Sequence, residues 1–216
     1  MYPKGNLFIP ASHGRLEAII KEPRGERRGV GFVCHPHPLG GGTMHNKVVF
    51  RAAAGMVDAG IETIRFNFRG VGTSTGDHNE IKGGIEDVTD VLNYAATTYP
   101  QEDITLAGFS FGSRTGMAVG MANDRVGRLI SIGTPVDKYD DYDFLKTVSK
   151  PILFVHGDMD EFGAVDNVRR LVEKMGENAT LKVFKNCGHF FDEQLNELRD
   201  VIRDWTAKRI SREADS

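Results

Sequence analysis

The stretch Ile104-Thr105-Leu106-Ala107-Gly108-Phe109-Ser110-Phe111-Gly112-Ser113 decides the fold. Ile104–Ala107 is a short, β-rich, mostly apolar run, too brief for a helix, and Ile152-Leu153-Phe154-Val155 is continuously apolar, as in a strand buried on both faces. The Ile104–Ala107 run breaks at Gly108 and is followed by a segment from Ser113 to about Met121 that reads as a helix. A strand turning this abruptly into a helix belongs to a parallel sheet covered by helices on both sides. The same reading extends outward. Strand-like runs recur at Leu16–Lys21, Val30–Cys34, Glu62–Phe68, Leu129–Ile132, Ile152–His156 and Leu181–Phe184. Between them lie helical patterns with apolar residues three or four apart. These are Val48/Ala52/Met56, Ile81/Ile85/Val88/Leu92/Ala95, Val165/Val168/Val172/Met175 and Leu195/Leu198/Ile202/Trp205. The alternation predicts an α/β doubly wound fold with a mostly parallel twisted sheet. In such sheets ligands bind beyond the carboxyl ends of the strands, so the segments that follow strands carry the chemistry.

Composition narrows the function classes. The chain has 216 residues, enough for one domain with a full core, and nothing resembling a linker or repeat divides it, so 1–216 is expected to be a single domain. Lys and Arg total 27 against 30 Asp and Glu, a net charge of -3, which gives no electrostatic case for nucleic acid or an anionic membrane. No apolar run approaches the ~18 residues of a membrane span. The start, Met1 to Asn6, lacks a basic-then-apolar signal pattern. Two cysteines, Cys34 and Cys187, make no disulfide framework and read as packed free thiols in a reducing, cytoplasmic setting.

Gly108-Phe109-Ser110-Phe111-Gly112 is a G-x-S-x-G pentapeptide placed between a strand and a helix, where that motif has a mechanical meaning. The serine is held in strained backbone, the glycines admit the tight turn, and the hydroxyl is projected beyond the sheet. A serine hydroxyl is a weak nucleophile and needs a base, which in turn needs an acid to orient it. After the run Ile152–Val155 stands His156-Gly157-Asp158-Met159-Asp160-Glu161-Phe162. After the last run stands Asn186-Cys187-Gly188-His189-Phe190-Phe191. Ser110, Asp160 and His189 thus fall at three strand ends in the order nucleophile, acid, base. Asp158 and Asp137 are rival acids. H-G-x-x-D spacing favours Asp160, which leaves Asp158 as a turn residue capping local backbone. The other histidines (His13, His35, His37, His45, His78 and His156) do not follow the last strand.

A developing oxyanion needs two main-chain N–H donors. Phe111, next to the serine, is one. The other is expected from His35-Pro36-His37-Pro38-Leu39-Gly40-Gly41-Gly42-Thr43-Met44, at His37 or, failing that, Leu39, because Pro38 has no N–H. The histidine rings of that loop read as braces.

These residues resemble a group of small bacterial α/β-hydrolases. The likeness is carried by His35-Pro36-His37-Pro38 with Gly41-Gly42-Thr43-Met44 and Asn46-Lys47-Val48-Val49, by Arg65-Phe66-Asn67-Phe68-Arg69-Gly70-Val71-Gly72-Thr73-Ser74, and by Ala107 to Gly112. It runs from about Gly14 to Trp205. Members are lid-less, related to dienelactone hydrolases and often described only as esterases. The resemblance implies an α/β-hydrolase fold without a cap domain, the triad Ser110, Asp160 and His189, and esterase activity on short acyl chains. Dienelactone hydrolases carry Cys where this chain has Ser110, so their lactone substrate does not transfer.

The resulting expectation is a serine carboxylesterase for small short-acyl esters, working through an acyl-enzyme, without metal or cofactor, as a monomer or weak homodimer. A thioesterase with the same triad and a catalytically silent binding protein are the alternatives. The base must begin neutral, so the rate should climb from acid towards neutral pH. A metal hydrolase built from His35, His37, His156, Asp158 and Asp160 lacks ligand spacing such as H-E-x-x-H. Gly70-Val71-Gly72-Thr73-Ser74-Thr75-Gly76 is neither a dinucleotide fingerprint nor a Walker loop. Only Gly133 to Lys150 separates the strand ending at Ile132 from the next, too little for a helical lid. That predicts an open, shallow site with candidate walls Leu39, Met44, Phe111, Val136, Phe162 and Phe190.

Overall fold

A computed structural model describes residues 6–139, 141–145 and 149–214. Met1–Gly5, Asp140 of the acidic Asp137–Asp143 stretch, and residues 146–148 of the Gly133–Lys150 connection lie outside them. Eight strands form one sheet: β1 (Asn6–Ala11), β2 (Gly14–Lys21), β3 (Val30–Cys34), β4 (Glu62–Phe66), β5 (Ile104–Phe109), β6 (Val126–Ile132), β7 (Ile152–Gly157) and β8 (Ala179–Phe184). Their spatial order is β1-β2-β4-β3-β5-β6-β7-β8. β2 pairs antiparallel with β1 and β4, and every pair from β4 onward in that order is parallel. The helices are α1 (Lys47–Asp58), α2 (Glu80–Thr98), α3 (Phe111–Met121), α4 (Val165–Glu173) and α5 (Leu195–Ala214).

Continuous apolar strands are explained by two separate cores. Phe32, Leu106, Leu129 and Phe154 face a layer of α2, α3 and α4, meeting Val88, Val91, Met117 and Val168. Their chain neighbours Val33, Ala107, Ile130 and Leu153 face the other way, onto Val48, Ala52 and Met56 of α1 and Leu198 and Ile202 of α5. With side chains alternating across a strand, burial on both faces requires apolar residues at every position.

The strand order turns at β3. From β3 the chain moves outward to β4 and then returns past β3 to β5, so β3 and β5 are neighbours whose following loops diverge. That is a topological switch point, the usual place for a ligand crevice. Cys34 pairs with Gly108 in register, which brings the loop after β3 and the turn after β5 out side by side. β1 is an addition to the strands read from sequence. Pro10 interrupts its pattern, and a proline is tolerated here because β1 is an edge strand. β4 is shorter than the Glu62–Phe68 run, because Asn67 and Phe68 leave the ladder to bind other segments.

Candidate active site

Ser110 sits between β5 and α3 with φ 54 and ψ -117, a conformation that L-residues rarely adopt. It is held from both sides. Its N–H donates to Ile132 O at 2.9 Å, and its carbonyl accepts from Ser113 N at 2.9 Å and Arg114 N at 3.1 Å. The two glycines of the pentapeptide act by close approach. A Cβ on Gly108 would lie 2.1 Å from Gly112 O, and one on Gly112 would lie 2.3 Å from Cys34 O. Gly108 thus permits the turn, whereas Gly112 lets the helix start press against the end of β3.

Asp160 and His189 converge from the turns after β7 and β8. His189 Nδ1 lies 2.7 Å from Asp160 Oδ2, with both side chains buried. Since a carboxylate only accepts, the proton resides on Nδ1 and Nε2 is left free. Asp160 Oδ1 accepts from Phe162 N at 2.9 Å, which fixes the acid. The imidazole packs 4.7 Å from the Phe109 ring, centroid to centroid, and is flanked by Phe162 at 4.6 Å and Phe190 at 5.3 Å. It also stands against Gly133, where a Cβ would meet its Cε1 at 3.0 Å. Phe109 precedes Ser110 and Gly133 follows Ile132, the acceptor of the Ser110 N–H, so the ring sits beside the serine turn.

The rival acids have other partners. Asp158 Oδ1 accepts from Cys187 N at 3.1 Å and ties the β7 turn to the β8 turn. Asp137 accepts from Ala164 N at 2.6 Å and Asn167 Nδ2 at 2.5 Å, capping the start of α4. His156 is fully buried and its Nε2 donates to Gly163 O at 2.6 Å. Burial pushes its pKa down. The metal-ligand set weighed from sequence therefore does not assemble, because His156 and Asp158 are committed to main-chain groups. His35 is likewise committed: Nδ1 donates to Pro36 O at 2.6 Å and Nε2 accepts from Phe68 N at 3.0 Å. Burial pushes its pKa down to about 3.

The loop after β3 makes a short 3-10 turn at Pro38–Gly40, with His37 O accepting from Gly40 N and Gly42 N. The His37 ring lies 5.1 Å from that of Phe111. Leu39, the fallback donor, has its side chain 74% exposed. Two residues from the end of β4 clamp this loop: Asn67 Oδ1 accepts from Met44 N at 2.8 Å, and Arg65 donates to Met44 O at 2.7 Å. Asn67 in turn donates to Glu17 Oε2 at 2.8 Å. Sequence reading quoted Arg65 and Asn67 but assigned them no task. The available signal was two polar side chains alternating with phenylalanines at a strand end. A second omission is Asp87, fully buried on the apolar face of α2, which accepts from Arg69 N at 2.8 Å, Arg69 Nε at 2.9 Å and His13 Nε2 at 3.0 Å.

Among the wall candidates, Phe162 and Phe190 touch the imidazole and Phe111 begins α3. Met44 is buried at 1% exposure, and Val136 lines a separate depression of ≈ 310 Å³ with Tyr142 and Leu171. A cavity of ≈ 640 Å³ lies away from the dyad, between α1 and the segment after β2, around Phe50, Val57 and Pro23. A cavity of ≈ 380 Å³ adjoins His189, Phe190 and Glu161. Neither cysteine is poised as a nucleophile. Both are buried, and burial pushes the Cys34 thiol up and that of Cys187 up to about 11.

No helix among the described residues is long and apolar enough to cross a membrane. Residues 33–210 match the family model of the alpha/beta hydrolase domain. The fold resembles an alpha-beta serine hydrolase homologue from Coxiella burnetii, with 38% identity and a TM-score of 0.88 over 94% of this chain and 98% of that one. It also resembles a lid-less a/b serine hydrolase from Xanthomonas campestris, with 31% identity and a TM-score of 0.86 over 97% and 96% of the two chains. An uncharacterised protein of Rickettsia prowazekii is 30% identical over 92% of this chain and 87% of its own length. With its mostly parallel eight-stranded sheet, helices on both faces and a family match over residues 33–210, the chain belongs to the alpha/beta hydrolase domain family.

Proposed function

We propose that the protein is a serine carboxylesterase that cleaves small, short-acyl esters through an acyl-enzyme intermediate. The observation that carries this reading is the buried 2.7 Å pairing of His189 Nδ1 with Asp160, set beside a serine held at φ 54 on a strand–helix turn. A structural histidine has no need of a carboxylate on one nitrogen and no partner on the other, beside the turn that strains a serine.

In the first step Ser110 Oγ attacks the ester carbonyl while His189 Nε2 takes its proton. Asp160 keeps the ring in the required tautomer and stabilises the imidazolium. The oxyanion is received by the main-chain N–H groups of Phe111 and His37. Phe111 opens α3, so its N–H has no carbonyl one turn back to bind, and the helix N-terminus favours negative charge. Collapse of the tetrahedral species expels the alcohol, which is protonated by His189. Water then repeats the sequence on the acyl-enzyme and frees the acid. Phe162 and Phe190 exclude water from one side of the imidazole and offer the acyl group an apolar contact. The short connection between β6 and β7 supports an open site suited to small esters. The serine-hydrolase descriptions of the Coxiella and Xanthomonas structures support the same chemistry.

The test is turnover of p-nitrophenyl acetate and butyrate by the parent and by Ser110→Ala, with fluorophosphonate labelling followed by peptide mapping. Label on Ser110 and loss of turnover in the variant are expected. A variant as active as the parent would overturn the serine mechanism, and absence of both turnover and labelling in the parent would favour a silent binding protein.

A further inference from the structure

Three side chains outside the triad meet at the mouth of the oxyanion loop. His37 comes from the loop after β3, His78 from the loop before α2, and Glu80 is the first residue of α2. One donor atom from each, the two imidazole nitrogens and a carboxylate oxygen, lie within 4.8 Å of one another. His37 Nε2 is 3.3 Å from Glu80 Oε2, and His78 Nε2 is 3.6 Å from Glu80 Oε1. Ligands bound about 2.0–2.1 Å from a tetrahedral zinc ion stand about 3.3 Å apart, so the 3.3 Å pair already has the length of one edge, and the remaining donors close by about 1.5 Å at most.

Two independent features mark the cluster as more than a chance encounter. The His78 side chain is nine-tenths buried, yet its Nε2 has no hydrogen-bond partner, because 3.6 Å to the carboxylate is too long for one. Glu80 is a non-glycine residue at φ 41, a costly conformation that aims its carboxylate back between the two rings. The rings are themselves seated: His37 and His78 are 5.0 Å apart, and each packs on Phe111, at 5.1 and 5.9 Å.

We infer that His37, His78 and Glu80 form a binding site for a single divalent transition-metal ion, with zinc as the best-fitting probe. Two imidazoles and one carboxylate leave one position of a tetrahedron open to water or an anion. The ion takes the place of the hydrogen bond between His37 and Glu80. Occupancy would pin the side chain of His37 to the start of α2. Because the proposed oxyanion donor is the main-chain N–H of the same residue, the ion would lock that loop. This last consequence rests on the esterase reading, whereas the site does not.

The experiment titrates tag-free, chelator-stripped protein with Zn²⁺ by calorimetry, alongside His78→Gln, Glu80→Gln and, as a surface control, His45→Gln. Expected are one ion per chain for the parent and the control, binding at least ten-fold weaker in His78→Gln and Glu80→Gln, and a zinc-dependent rise in Tm lost in the same two variants. Co²⁺ loaded into the parent gives a second readout that needs no variant: tetrahedral d–d absorption without a thiolate charge-transfer band. Equal affinity in all four proteins, no binding by the parent, or a thiolate band would each overturn the proposal. None of these readouts depends on ester turnover, so failure of the site and failure of the esterase reading are separable.

Discussion

Asn67 holds the main-chain N–H of Met44 at 2.8 Å while its own amide is held by Glu17 at 2.8 Å. A residue at the end of β4 therefore sets the position of a loop that leaves β3. Replacing Asn67 with Ala leaves the buried Met44 N without its partner and Glu17 held by Thr73 N alone, at a cost of about 1–3 kcal/mol for the orphaned group. If the loop supplies an oxyanion donor, the displaced backbone should lower kcat about ten- to a hundred-fold with little change in KM. Steady-state kinetics beside a thermal melt checks this. A fall in Tm with kcat intact would separate the clamp from catalysis.

Asp160→Asn should preserve the fold and abolish most of the activity. With its oxygen kept on Phe162 N, the amide turns its NH2 towards Nδ1, so the imidazole proton moves to Nε2 and the base is lost. A drop of about 10⁴-fold in kcat is expected from the same substitution in other triads. Asp158→Asn, whose partner is Cys187 N, should cost less than ten-fold, and comparing the two variants assigns the acid.

Stability should fall as the solution is acidified, through histidines kept neutral in the folded chain. Burial depresses His35 to about 3 from its ordinary 6.5, and His156 is depressed in the same direction. Between the unfolded and folded values the unfolded chain binds more protons, so unfolding free energy rises with pH across that window and is lost as pH drops below about 6.5. Each such group contributes a slope of at most about 1.4 kcal/mol per pH unit. Denaturant titrations across the window give the slope. Nitrogen chemical shifts should show His35 still neutral, protonated at Nδ1, near pH 5.

The pattern of what could be read from sequence has a physical cause. Strands β3, β5, β6 and β7 are buried on both faces, so their mostly apolar runs stand out, and Ser110, Asp160 and His189 each follow one of the sheet's strands. β1 escaped because Pro10 breaks its pattern, and only its place at the sheet edge makes the proline harmless. Asn67 and Asp87 escaped for another reason. Their partners Met44, Glu17, His13 and Arg69 are 18 to 74 residues away along the chain. A hydrogen bond across such a gap leaves no local periodicity. The His37, His78 and Glu80 cluster is hidden in the same way, since it unites the loop after β3 with the start of α2, which the pairing of β3 with β4 brings together.

The backbone of Ser110 carries a further consequence, for the relation between durability and chemistry. A residue at φ 54 and ψ -117 stores roughly 1–3 kcal/mol unless it is glycine. Ser110→Ala removes the hydroxyl and keeps the strain, whereas Ser110→Gly removes both. The glycine variant should melt about 2–4 °C above the alanine variant for each net kcal/mol relieved. At this one position the chain gives up robustness to hold a hydroxyl, and a screen for thermostability alone would select glycine there and discard the nucleophile.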